Sequence, residues 1–177
     1  MLELSDSSSS GRTSALSVGR KAGTLRSFSG TEAGPVVGLA LENKLAAAQG
    51  LAPRPVDSRI LLKLDGDMAR YAWNFDGLPW PKHPPVMVKA NQRVEITIQN
   101  TTMMSHPIHL HGHVFQIVGI GDRRFQGAVR DTILMPPKET VRFIFDTDNP
   151  GKWAFHCHQL YHLAVGMFVE LRYEGFT

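Results

Sequence analysis

The sequence predicts an all-β domain, built as a two-sheet sandwich and preceded by an irregular extension of low complexity. Two observations point there. From Ser58 onward, short segments rich in Val, Ile, Phe and Tyr alternate with polar residues and are cut by turn residues. About nine such segments fit into about 120 residues, the spacing of a sandwich whose two sheets share one core.

The expected strands run over 60–64, 70–74, 86–89, 93–99, 114–120, 128–134, 140–146, 152–156 and 167–173. Gly77 with Pro79 and Pro81, Ala90-Asn91, Gly121-Asp122, Pro136-Pro137 and Asn149-Pro150-Gly151 separate them. Alternation is clearest from Arg93 to Ile98 and from Thr140 to Phe145, each of which should bury one face and wet the other. Residues 1–57 have a different texture and read as a linker or the remnant of a preceding domain, with the β domain at 58–177. Ser5 to Ser10 is nearly all small and polar, and no apolar period is sustained through Thr31. The one local signal there runs from Glu42 to Gln49, two expected helical turns stopped by Gly50 and by the prolines at 53 and 55. The alternative for this region is a small ordered extension wrapped on the domain.

Composition excludes several classes. A formal charge of +3, with no run of five Lys or Arg residues, argues against a nucleic-acid partner. No apolar stretch approaches the roughly 20 residues that span a bilayer. The first residues lack the basic start and apolar core of a secretory signal. One cysteine, Cys157, rules out a disulfide framework within the chain.

Its neighbours give that cysteine a role. Seven of the eight histidines fall in two windows: His106, His109, His111 and His113 in one, His156, His158 and His162 in the other. In the second window Cys157, His162 and Met167 stand at Cys-x4-His-x4-Met spacing. A thiolate, an imidazole and a weak thioether on a loop suit a blue-copper site, which takes two His and one Cys in a plane with a long axial Met. His106 is the candidate for the second imidazole. Zinc also takes Cys and His, but the paired cysteines of structural zinc sites are absent. Strand geometry adds a second inference. Side chains alternate across a strand, so His156 and His158 should face one way and Cys157 the other, while His109 and His111 share a face. A copper on the sulfur side and a histidine-only site on the opposite side are then joined through one residue.

The two windows resemble the two C-terminal copper signatures of multicopper oxidases, the family of laccases and bacterial copper-resistance oxidases. The resemblance covers about residues 55–177 and takes in Arg130-Asp131-Thr132 and the stretch from Asn149 to His156; the Met103-Met104-Ser105-His106 context looks closest to copper-resistance oxidases. It implies a cupredoxin-like (plastocyanin-like) Greek-key sandwich with copper as cofactor. His106, Cys157, His162 and Met167 would hold type 1 copper, His109 would be a type 2 ligand, and His111, His156 and His158 type 3 ligands. It further implies an oxidoreductase that takes single electrons from a phenol, an aromatic amine or cuprous ion. Electron transfer would run through Cys157 to His156 and His158, and dioxygen would be reduced to water at a three-copper cluster. The implied compartment is the periplasm or the exterior.

One departure from the family shapes the expectation. Its three-copper cluster needs eight imidazoles, four of them from two His-x-His pairs in an N-terminal copper domain. This chain supplies His109, His111, His156 and His158, so the type 1 set is complete and the cluster is half supplied. The expected partner is an N-terminal cupredoxin domain or subunit. Two other classes stay open: a stand-alone one-electron carrier using only type 1 copper, and a copper-binding module without turnover. The remaining candidates take blander roles. His83 reads as a surface or satisfied core residue, His113 as a structural residue or a support for a neighbouring imidazole, and Asp131 as the maker of a turn or strand-end hydrogen bond, with support of a ligand as its alternative. Met103 and Met104 read as core filling, and Trp73, Trp80 and Trp153 as core or sandwich-edge residues.

Overall fold

The computed structural model describes residues 37–176, so the serine-rich start lies outside the described residues. A seven-stranded sheet has the order β2-β1-β4-β10-β6-β7, with β8 also paired to β6, and a five-stranded sheet has the order β3-β12-β11-β5-β9. The first comprises β1 (Ser58–Asp67), β2 (Ala72–Phe75), β4 (Arg93–Asn100), β6 (Phe115–Ile120), β7 (Arg123–Arg124), β8 (Val129–Arg130) and β10 (Thr140–Asp146). The second comprises β3 (Val86–Val88), β5 (His106–Leu110), β9 (Thr132–Met135), β11 (Lys152–Cys157) and β12 (Phe168–Tyr173). One short helix, α1 (Leu160–Ala164), bridges β11 and β12. Among the described residues only β1 with β4 and β3 with β12 run parallel; every other pairing is antiparallel. Among the described residues no helix is long and apolar enough to cross a membrane.

Period-2 patterning builds the core. Val94, Ile96 and Ile98 on β4 sit across from Phe145, Phe143 and Val141 on β10, and all six are fully buried. The facing sheet contributes Ile108, Leu110, Phe155, Val169 and Leu171 to the same cluster. Cys157 and Met167 belong to it too, so the sulfur side of the candidate site is part of the hydrophobic core. Burying each large apolar side chain contributes about 1.5–3 kcal/mol.

Several local expectations are corrected. The region 42–49 forms a single 3-10 turn at Glu42–Lys44 in place of two helical turns, and Leu45 is already extended. Tertiary contacts win over propensity there: Leu39 packs in the core, the Ala47 N–H donates to Gly127 O, and the Leu51 N–H donates to Gln116 Oε1. The expected strand over 128–134 is two short strands, β8 and β9, that pair with different sheets. Strands β5 and β7 and helix α1 were not among the expected elements.

Arg93 fastens one end of the two central strands β4 and β10 of the first sheet. It is 2% exposed, and its Nε and Nη2 donate to the two carboxylate oxygens of Asp146 at 2.6 and 2.7 Å, while Nη1 donates to Ala52 O. Its own N–H donates to Asp57 Oδ2, which ties residues 52–57 to β4. These bonds hold the Asp146 carboxyl below its ordinary range, and bonds from Arg124 do the same for Glu95. Both folded values are depressed, so the native state binds fewer protons than the unfolded chain. Their stabilisation is present above the ordinary carboxylate range and lost as pH falls through the folded values. Asp146→Ala should cost about 2–3 kcal/mol in urea unfolding at neutral pH, less than the loss of a fully buried pair because the carboxylate is partly exposed. It should also flatten the acid limb of stability against pH. A loss under about 0.5 kcal/mol, the scatter of ordinary surface substitutions, would contradict this role.

Candidate metal centre

Strands β5 and β11 are antiparallel neighbours, with Cys157 across from Ile108, His156 across from His109 and Phe155 across from Leu110. Residues directly opposite each other share a face. Cys157 therefore lies on the core side with Ile108, and His156 lies on the outer side with His109. His106 begins β5 on the Ile108 side and is fully buried.

On the core side three donor atoms converge. His106 Nδ1 and His162 Nδ1 are 3.0 Å apart, and each lies 3.8 Å from Cys157 Sγ. A triangle with those sides has a centre about 2.1 Å from every corner, the length of a first-row metal bond to nitrogen and slightly under one to sulfur. One ion thus fits near the plane of a soft sulfur and two imidazoles, the donor set and shape of a blue-copper site. Among the described residues this is the one group of three or more His, Cys, Asp or Glu side chains whose donor atoms converge to within 4.8 Å. Burial pushes the Cys157 thiol up to about 11, and burial followed by the neighbouring His162 pushes His106 down to about 4. Without a cation the site is therefore neutral, and a metal must displace the thiol proton to bind.

Hydrogen bonds fix which nitrogen of His106 is offered. The Asn100 side-chain amide donates to the carbonyls of Met104, Met135 and Pro136, leaving its Oδ1 as an acceptor. Thr102 Oγ1 donates to that oxygen at 2.8 Å and lies 2.8 Å from His106 Nε2. With its own proton committed, Thr102 accepts from His106 Nε2–H, so the lone pair of His106 is on Nδ1, facing the sulfur; this tautomer follows from the bonding network. The loop after β11 is closed by two backbone bonds, Met167 N–H to His162 O at 3.0 Å and Cys157 N–H to Met167 O at 3.1 Å. These hold His162 and the fully buried Met167 beside the cysteine. Gly166, at φ +122°, lets the loop press on Pro79, where a Cβ would come within 2.5 Å.

The outer side carries four imidazoles. His109 lies 4.6 Å from His111, 5.7 Å from His156 and 5.6 Å from His158, ring centre to ring centre. His111 Nε2 and His156 Nε2 are 2.9 Å apart. His109 Nδ1 donates to Asp131 O and His156 Nδ1 to Cys157 O, so each ring keeps its Nε2 as an acceptor, that of His156 meeting His111 Nε2. Burial is the first cause that holds His111 and His156 below the ordinary histidine range. His111, His109 and Asp131 line an open cavity of about 550 Å³ with Asp148 and Asn149.

The other singled-out residues take clear places. His83 is wedged between the Asp76 carboxylate and Pro84 O. His113 Nδ1 donates to His111 O, while its Nε2 lies 2.6 Å from the buried hydroxyl of Tyr173. Gly112 sits at φ +69° against the Trp153 ring, which a Cβ would meet at 2.5 Å. Met104 packs on the core as expected, whereas the core-filling role expected of Met103 is corrected, since its side chain is exposed. Sequence reading missed Asn100 and Thr102, whose polar side chains carry no motif, and gave Trp73 a core role without its contact to the site.

The model of the multicopper oxidase family matches residues 53–175. Over 110 residues the chain is 44% identical to the multicopper oxidase MmcO of Mycobacterium tuberculosis, covering 62% of this chain and 21% of that protein. Over 116 residues it is 45% identical to a copper resistance protein A homolog of Pseudomonas syringae, covering 65% and 19%. The chain thus spans about a fifth of the length of the curated relatives it matches. The blue copper oxidase of Nitrosomonas europaea superposes with a TM-score of 0.64 at 23% identity over 70% of this chain and 47% of that one, a likeness of fold.

Thr102→Val should leave the fold intact and lower copper affinity about 10–100-fold, because His106 Nε2–H loses its acceptor. A chelator-competition titration reads this, and unchanged affinity would contradict the role given to Thr102.

Proposed function

This chain belongs to the multicopper oxidase family, and we propose that it is the copper-binding cupredoxin domain of a laccase-like oxidase. The observation that carries the reading is the back-to-back arrangement on β11: a closed triangle of one sulfur and two nitrogens on one face, four imidazoles on the other. Copper bound there would supply one-electron chemistry, a reductant being oxidised at the buried set and dioxygen reduced to water at the outer one.

The residues divide that task. His106, Cys157 and His162 would hold type 1 copper with Met167 as the weak fourth donor. His109 would serve type 2 copper, and His111, His156 and His158 type 3 copper. Cys157 is covalently continuous with both His156 and His158, and its carbonyl accepts a hydrogen bond from His156 Nδ1, so the two faces are linked by bonds alone. His106 is sealed behind Thr102, whereas His162 lines a cavity of about 450 Å³ with Tyr71, Met104, Gln159, Leu160 and Tyr161. Electrons would therefore enter at His162. The cavity lining offers no charged side chain, so contact there selects by shape and apolarity; a phenol, an aromatic amine or cuprous ion remains the proposed reductant. The outer face would be completed by an N-terminal cupredoxin domain or subunit bringing two more His-x-His pairs. The compartment proposed from the family resemblance is the periplasm or the exterior.

A second reading, a one-electron carrier using only the buried set, is favoured by the convergence of that set alone among the described residues. Copper loading separates the two. Both readings expect an intense thiolate-to-copper band that Cys157→Ser abolishes. The oxidase reading expects dioxygen consumption and about four coppers per assembly once a partner with two His-x-His pairs is added, and the carrier expects one copper and no consumption. A band that survives Cys157→Ser would overturn both.

A further inference from the structure

The β1–β2 hairpin reaches over the buried donor set with an indole. Trp73 is 1% exposed, its ring stacked on His162 at 4.4 Å and 29° and set edge-on to His106 at 5.2 Å and 63°. It touches both imidazoles at once, and those two rings are themselves 4.9 Å apart at 53°. Aromatic contacts of this kind each contribute about 0.5–1.5 kcal/mol beyond area burial and favour particular ring angles.

Core filling alone does not account for an indole here. Among the described residues its buried Nε1–H has no acceptor, a loss of about 1–3 kcal/mol that a phenylalanine would avoid. The backbone is shaped around the ring as well. Gly66, at φ +135°, lies where a Cβ would come within 2.8 Å of Trp73 Cε3 and would collide with Ala72 O. Tyr71 holds a left-handed φ of +48°, a conformation that a bulky residue adopts at a cost. From there it meets Trp73 edge-on at 6.3 Å and 84° and His162 at 6.3 Å and 67°. Tyr71 is also the wall of the cavity that reaches His162.

We infer that Trp73 is a positioning residue for the metal centre: it fixes the planes of His106 and His162 before any ion arrives and sets a buried apolar wall against the donor set. This deepens the function proposed above and rests on it. A donor triangle held in advance changes little between the two oxidation states of a bound ion. An apolar wall favours the state of lower charge, so loss of the indole should lower the reduction potential.

Trp73→Leu and Trp73→Phe, made in this chain and compared with the parent by thermal melting, test the inference. In the metal-free parent, proton NMR should place the His162 ring protons upfield, under the indole ring current, and Trp73→Leu should return them toward ordinary histidine shifts. After copper loading, Trp73→Leu should bind about 10–100-fold more weakly, with a lower potential and an altered copper hyperfine splitting. Trp73→Phe should recover most of each change. His162 ring protons at ordinary shifts in the parent would overturn the inference with no variant needed. So would a folded Trp73→Leu protein with unchanged affinity, potential and hyperfine splitting. If the copper-loaded parent shows no thiolate band, the reading of the site itself has failed; if the band is present and only the Trp73 comparisons are flat, the inference alone has.

Discussion

Backbone hydrogen bonds between β5 and β11 hold Cys157 across from Ile108 and His156 across from His109, and everything at the candidate centre depends on that register. A shift of one residue would turn the thiol to the outer face and carry the imidazoles into the core. The pairing is locked from both sides. Ile108 and Phe155 are fully buried in the shared core, and the ladder continues outward through β12 and β9. The same packing that stabilises the sandwich therefore decides which donors can share an ion.

Burial supplies the second half of the chemistry. The inner donors sit among apolar side chains, where both a thiolate and an imidazolium are costly. The resting set is neutral, and a single cation can replace the thiol proton and use every lone pair turned inward. The relay from Asn100 through Thr102 to His106 matters because a buried imidazole with the wrong tautomer would present a proton where a lone pair is needed. On the outer face the constraint is looser. Four imidazoles gather within ring-neighbour distance but do not close on one point.

Much of this was legible in the residues. Strands with clean alternation, such as β4 and β10, were found because burying one face leaves a period-2 mark. The histidine windows and Cys157 were legible because side chains able to bind a metal cluster there by type and spacing. The face inference for residues 156–158 needed only strand geometry. Other features left no such mark. Strand β5 is short and interrupted by Pro107, and β7 has two residues, so neither offers a countable period. The region 42–49 has helix formers, but it and Leu51 are held by Gly127 and Gln116, residues distant in the sequence. Asn100, Thr102 and Trp73 are common residue types whose importance lies in what folding brings beside them.

The central claim is that one sulfur and two imidazole nitrogens of this chain enclose a single copper ion. X-ray absorption at the copper edge on the loaded chain tests it most directly. The account predicts one sulfur scatterer at about 2.1–2.3 Å together with two nitrogens at about 2.0 Å. A first shell made of nitrogen and oxygen alone, with no sulfur at bonding distance, would contradict it.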